Sequence, residues 1–374
     1  MKQKLQTEIT KILHSAPLVK NLARKKFVSS FVLALIQSRN VQFSAIAHHL
    51  NDGAKLASNQ NRIEDFFREV DMDYFVLAIL VVSLLPSKAK LRICLDRTEW
   101  NFGKTQVNIL VLLVGYGDLQ LPLFWAFLDN NSGNSNSQDR IDLLERLFCV
   151  VDKKRIGLII GDREFVGQKW LKYLKDNQLN FIMRFPKHHL ITDVEARSWR
   201  IDELALVQGQ VYCRSGVVVD GCVGNVWVMR LSETDYLYLF GNVEPKFMGQ
   251  LYRKRWSIES CFQNLKGRGF DLETTHLQCL KKLSKLFGLV SLTYSFCVRM
   301  GIYLHEKVQP IKLKKHGYKS NSFARHGLNR LREILRPQKP KKASSWPVWA
   351  NKMEGIFRWI RIQIAHYQQT ILAG

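Results

Sequence analysis

No two of the seven cysteines in this chain form a Cys-x-x-Cys pair, and their number is odd. That argues against a disulfide framework and against a zinc site, and leaves buried thiols. Nor does any window offer the roughly 20 uninterrupted apolar residues of a membrane span. The nearest candidate, "LFGLVSLTYSFCVRMGIYL", carries Arg299 with Ser and Thr and reads as a buried core helix. The first residues, "MKQKLQTEITK", lack an apolar h-region and a cleavage site, so a cytoplasmic protein is expected. Acidic residues are also in short supply. Against 56 Lys and Arg there are 32 Asp and Glu, a net charge of +24 over 374 residues. A surplus of that size implies a polyanionic partner. Nucleic acid is the economical choice, since lysines and arginines gain affinity by releasing its counterions. An anionic membrane surface is the alternative. The length allows a large core and two or three domains.

Late in the chain, "LYRKRWSIESCFQNLKGRG" reads as one helix. At about 100° per residue, Tyr252, Arg255, Glu259 and Lys266 then fall on one narrow stripe. Phe247, Leu251, Ile258, Phe262 and Leu265 form an apolar stripe roughly 85° around the cylinder. The apolar stripe can bury while Glu259 faces a site. A carboxylate flanked by cations suits a metal ion holding a phosphodiester, and a solvated charged face is the plainer reading. Mg²⁺ wants further hard oxygen ligands. Asp96 follows the alternating run Leu91, Ile93, Leu95, at the expected end of a strand, with Thr98 to Gly103 turning the chain. Asp162 follows "IGLIIG", a continuous apolar run typical of a strand buried on both faces. Sites in open α/β sheets gather at the carboxyl ends of strands. Taken singly, either Asp also reads as a turn or cap residue.

With these motifs in order, the chain resembles the DDE transposases of bacterial insertion sequences, in the insertion-sequence-four family. The signature of that family, Tyr-x2-Arg-x3-Glu-x6-Lys, is matched at Tyr252, Arg255, Glu259 and Lys266, and the two Asp motifs are matched as "LDRTEW" and "GDREF". The resemblance spans roughly residues 25 to 300. It implies that Asp96, Asp162 and Glu259 are catalytic and hold two Mg²⁺ ions, with Mn²⁺ as a substitute. It also implies a ribonuclease-H-like fold, a hairpin intermediate at the transposon end, and a homodimer that pairs two DNA ends. A place on the bacterial nucleoid follows from the same likeness.

The expected fold class is α/β: a ribonuclease-H-like catalytic core with an inserted β-rich domain, preceded by an α-helical N-terminal domain. Residues 1–75 read as short helices in a helix-turn-helix-like bundle, taken as the part that binds the DNA end. Its third segment presents Lys55, Asn59, Gln60 and Arg62, residue types able to bond base edges or phosphates. A small helical domain with a polar face is the plainer reading. Residues 76–300 form the expected core, with strands near 91–96, 106–114, 119–128, 156–161 and 180–185 and helices near 138–151 and 167–176. The spacing from Asp162 to Glu259 exceeds what a compact core needs, and about 186–245 reads as the β-rich insertion. Its aromatics Trp199, Trp227, Tyr236 and Tyr238 either pack a sheet face or stack on an unpaired base. Trp227 is the first choice for stacking. Residues 301–374 are basic, with Glu333 the one acid between Lys307 and Lys352. Phosphate contact is expected there. The final aromatic stretch either closes the core or forms a dimer contact.

The expected reaction is metal-assisted phosphoryl transfer that cuts and pastes an element at its terminal inverted repeats into target DNA. Arg255 and Lys266 would hold phosphates, and Tyr252 would contact the backbone or orient Glu259. No protein nucleophile is needed. Two other classes stay open: a structure-selective nuclease of the same fold, and a non-catalytic protein that only occupies transposon ends.

Overall fold

The structure, a computed structural model, describes residues 2–336 apart from 87, 103, 104, 129–132, 194, 316 and 318, and then 355 and 357–365. Helices α1 (Lys2–Ser15), α2 (Leu22–Ser38), α3 (Phe43–Leu50), α4 (Leu56–Glu69) and α5 (Tyr74–Ser83) come first. Strands β1 (Leu91–Phe102), β2 (Thr105–Tyr116) and β3 (Leu119–Phe127) follow. Next are α6 (Ser137–Phe148), β4 (Ile156–Gly161), α7 (Gln168–Asp176) and β5 (Phe181–Arg184). Strands β6 (Leu190–Thr192), β7 (Ser198–Arg200), β8 (Val211–Val219), β9 (Cys222–Arg230) and β10 (Tyr236–Gly241) lead to four helices. These are α8 (Pro245–Arg253), α9 (Trp256–Leu265), α10 (Leu280–Lys307) and α11 (Phe323–Leu335). The chain divides into two compact units. One, the sheet unit, is Lys88–Glu99 with Gln106–Glu259; the other, the helical unit, is Met1–Ser87, Trp100–Thr105 and Ser260–Gly374. These cuts differ from the expected segments 1–75, 76–300 and 301–374, because α10 and α11 belong with the N-terminal helices.

The sheet unit is built on one mixed sheet of order β3-β2-β1-β4-β5-β10-β9-β8-β6-β7. β1, β4 and β5 are parallel neighbours, and β10 lies antiparallel beside β5. The apolar runs explain the centre. Ile109 to Val114 on β2 and Ile159 and Ile160 on β4 are fully buried, as strands covered on both faces require. A capping box starts α6: Asn136 accepts from the Asp139 N–H while Asp139 accepts from that of Asn136. Two expectations need correcting. β1 does not end at Asp96 but runs on to Phe102, since its polar residues beyond Leu95 still alternate about an extended backbone. The stretch 186–245 is no separate β-domain. Its strands extend the same sheet, with Leu239 of β10 paired to Arg184 of β5.

In the helical unit, α2 and α10 supply much of the core, and most side chains of α10 from Leu283 to Leu304 are buried. α10 is long and apolar enough to cross a membrane by length and composition; here it is the unit's core helix. Lys285 on α10 is buried and donates from Nζ to the Phe67 carbonyl at 2.9 Å, which fastens the end of α4 to α10. Where α10 meets α11 the backbones come unusually close. A Cβ added at Gly327 would stand 1.9 Å from the Cys297 carbonyl oxygen. Of the final stretch, 357–365 is core: Phe357, Ile360 and Ile364 are buried, and Arg299 lies 3.9 Å from the Trp359 ring centroid. Lys339, Lys341 and Lys342 of the basic segment lie outside the described residues. Gly327→Ala is expected to cost about 1–3 kcal/mol through forced separation of α10 and α11. The measurement is the urea midpoint, with Gly53→Ala, where the nearest atom is 3.8 Å away, as the near-neutral control.

Candidate active site

Strand register assembles the site. Cys94 of β1 pairs with Ile160 of β4, and Ile160 with Ile182 of β5. A step of two residues along each strand keeps the same face. It brings Asp96, Asp162 and Arg184 into one row at the carboxyl ends of β4 and β5. Arg184 Nη1 lies 3.9 Å from Asp162 Oδ1. Asp162 starts a tight turn in which the Phe165 N–H donates to the Asp162 carbonyl at 2.9 Å. On β1, the Arg97 N–H donates to Asp96 Oδ1 at 2.9 Å. An open cleft of about 380 Å³ lies over this row, lined by Asp96, Arg97, Asn134, Asp162, Glu164 and Pro186 among others.

The signature segment is not one helix. α8 stops at Arg253 and α9 starts at Trp256. Across the break the hydrogen bonds tighten to three-residue spacing: Arg255 N–H to the Tyr252 carbonyl at 2.8 Å, and Ile258 N–H to the Arg255 carbonyl at 2.8 Å. The expected single stripes are therefore broken. On α8 the buried residues are Met248 and Tyr252, while Phe247 is exposed and Leu251 half-buried. Ile258 and Leu265 are buried as expected. α8 packs on β9 through Gly249, where an added Cβ would stand 2.4 Å from Trp227 Cζ2.

The break points Arg255 between the two aspartates. Its Nη2 donates to Asp162 Oδ2 at 2.8 Å and to Asp96 Oδ2 at 3.3 Å, and its Nη1 lies 3.8 Å from Glu259 Oε1. Thus Asp96, Asp162 and Glu259 surround one guanidinium. Burial pushes the Asp96 carboxyl up to about 6 despite the opposing pull of Arg255. Burial likewise pushes the Tyr252 phenol well up. For Arg255 burial acts downward, but Asp96 and its neighbours outweigh it and the net direction is up. Four buried polar atoms here have no hydrogen-bond partner: Asp162 Oδ1, Arg184 Nε, Tyr252 Oη and Arg255 Nε. Such atoms are rare in native interiors and mark sites where something else binds. Three carboxylates around one positive charge are the hard-oxygen donors a divalent cation takes. Among the described residues, no three His, Cys, Asp or Glu side chains stand ready to hold a metal as placed; Arg255 fills their centre.

The remaining expected residues fare differently. Lys266 lies just past α9, in the helical unit, with Nζ 2.6 Å from Glu273 Oε1. Trp227 is 7 % exposed and pressed against α8. It is a core residue, and the expectation that it receives a base is corrected: a strand facing a helix must bury its large side chain. Trp199 has Arg214 over its ring at 4.7 Å, and Tyr236 stacks on Tyr238 at 5.7 Å. Asn59 is also corrected. Its amide is buried and donates to the Ala47 and Asn51 carbonyls, both at 3.0 Å, tying α4 to the end of α3. Lys55 and Arg62 are exposed, and Gln60 is half-buried with a bond to Glu64. Arg184 went unread because a lone Arg closing a strand is common; only the register with Asp162 singles it out.

A carboxyl whose folded pKa of about 6 lies above its ordinary 3.8 holds its proton more tightly when folded. Asp96 therefore contributes stability in full below pH 3.8 and loses it as pH rises through about 6. Urea titrations in EDTA should show a loss on the order of 2 kcal/mol across that window, and Asp96→Asn should flatten it. Trp227→Ala should lower stability by about 3–5 kcal/mol, read from the same titrations at neutral pH.

Residues 87–296 match the family described as Transposase DDE domain. No curated protein matches the chain. Among solved structures, a piggyBac transposase in a synaptic complex with hairpin DNA is similar at 11% identity and a TM-score of 0.44. That likeness covers 97% of this chain and 82% of the other.

Proposed function

Because the chain belongs to the transposase DDE domain family, we propose that it cuts DNA at the terminal inverted repeats of an insertion sequence and joins the ends to target DNA. The observation that carries this reading is the convergence of Asp96, Asp162 and Glu259 on one guanidinium, with both aspartates lining an open cleft. The match of Tyr252, Arg255, Glu259 and Lys266 to the signature of the insertion-sequence-four family supports the narrower assignment. The order β3-β2-β1-β4-β5, with β4 and β5 parallel to β1, supports a ribonuclease-H-like core.

Asp96, Asp162 and Glu259 would hold Mg²⁺. When bound, the ions supply activation of the attacking hydroxyl and charge stabilisation at the leaving oxygen. The protein's own groups bind and orient the DNA. Arg255 and Arg184, each with an unpartnered Nε, are suited to phosphate oxygens, which guanidinium groups grip through two N–H groups at once. Once DNA phosphate takes up Arg255, the carboxylates lose their internal counter-charge and favour a divalent cation in its place. The Tyr252 hydroxyl, buried without a partner, gains one from the same backbone. Lys55 and Arg62 remain in this reading as exposed contacts to the DNA end, and the net charge of +24 supports a polyanionic substrate. Paired ends call for two copies of the chain, and a hairpin intermediate stays part of the reading with a receiving residue other than Trp227.

Alanine at Asp96, Asp162 or Glu259 should abolish Mg²⁺-dependent cleavage of terminal-repeat DNA while gel-shift affinity for that DNA is kept. Wild-type cleavage by Glu259→Ala would sink the proposal.

A further inference from the structure

Backbone pairing between β1 and β4 ends at Cys94 and Ile160. Both aspartates therefore stand two residues beyond the last shared rung of the sheet. Their spacing is critical, because donors to one cation must be held to within a fraction of an ångström. A side-chain bridge takes over where the ladder stops. Arg97, the residue after Asp96, donates from Nε to Glu164 Oε2 at 2.5 Å. Glu164 sits in the tight turn that Asp162 begins. The pair is sheltered, with side chains 20% and 11% exposed.

Each end of the bridge is itself fixed. Arg97 Nη1 donates to Asn108 Oδ1 on β2 at 3.2 Å. Glu164 Oε1 accepts from Ser135 Oγ at 3.0 Å. Ser135 Oγ in turn accepts from Arg140 Nε of α6 at 2.9 Å, and Arg140 Nη1 donates to the Val166 carbonyl at 3.2 Å. A second carboxylate, Glu99, lies 3.6 Å from Arg97 Nη1 and is exposed, with 55% of its side chain open against 11% for Glu164. The path from β2 through Arg97 and Glu164 to α6 thus links the neighbours of both aspartates without including either.

We propose that Arg97 and Glu164 are positioning residues that set the separation of Asp96 and Asp162 for the cation the pair takes. The inference rests on the metal-binding reading of Asp96 and Asp162 given above. It differs from a ligand role for Glu164, whose carboxylate is already committed to Arg97 and Ser135.

The test is Mn²⁺ binding to the protein held on terminal-repeat DNA, with the same DNA alone as baseline, followed by electron paramagnetic resonance, for Glu164→Gln, Arg97→Gln and the double variant. Each single change should weaken Mn²⁺ about 10- to 100-fold, the usual effect of losing a group that orients a metal ligand. The double variant should be no worse than either single, because both break the same bridge. Arg97→Lys, which keeps the charge, should recover part of the loss and serves if Arg97→Gln does not fold. Wild-type Mn²⁺ affinity in both single variants would overturn the inference and assign the bridge to stability alone. So would multiplied losses in the double variant, which would make Glu164 an independent ligand. Asp162→Ala separates the two levels. If it also binds Mn²⁺ as the wild type does, the metal-site reading itself fails. If it loses Mn²⁺ while the bridge variants keep it, only the present inference fails.

Discussion

The parallel register of β1, β4 and β5 is the constraint from which the candidate site follows. Side chains on a strand return to the same face every second residue, so pairing Cys94, Ile160 and Ile182 places the next row without further instruction. That row holds two carboxylates and a guanidinium. Interior apolar strands make the register firm, and the site depends on it: a slip of β4 by one residue would turn Asp162 to the face opposite Asp96 and Arg184 and break the row. The chemistry of the cleft is in this sense a by-product of how the hydrophobic strands lock.

Two half-buried aspartates side by side repel each other, and drawing either from water is costly. Arg255 offsets both effects, and the break between α8 and α9 is what lets it reach them. Had the helix run straight through, Arg255 would have projected along the cylinder with Tyr252 and Glu259 instead of reaching both aspartates. Trp227 packed on Gly249 seats α8, and the Arg92 contact to Ser257 Oγ at 3.4 Å holds the start of α9 to the sheet. Between those anchors the chain bends where it must. The interaction that neutralises the carboxylates thus depends on packing several residues away from any charge.

Much of this was legible in the residues. Uninterrupted apolar runs in β2 and β4 announce doubly covered strands, and the positions of Asp96 and Asp162 relative to those runs mark them as a pair. What escaped was whatever depends on a partner. The helix break carries no Gly or Pro, since Lys254, Arg255 and Trp256 are ordinary helix residues. The strands of 186–245 look like a domain of their own until β5 is seen to have an open edge for β10. Asn59 and Trp227 have the side chains that contact nucleic acid, but residue type does not report burial. One amide serves the junction of two helices and one indole fills a sheet-to-helix gap.

The helical unit draws its core from both ends of the chain. α2, rich in buried Phe, Val and Leu, rests against α10, and the buried Lys285 binds the end of α4. During synthesis the first helices emerge well before that partner exists. At typical elongation speeds of about 5–20 residues per second, the wait for α10 is roughly 10–40 s. For that interval α2 has only α1, α3 and α4 to pack on, and the surfaces of α2 and α5 that α10 covers stay open to solvent until the last third of the chain has been made.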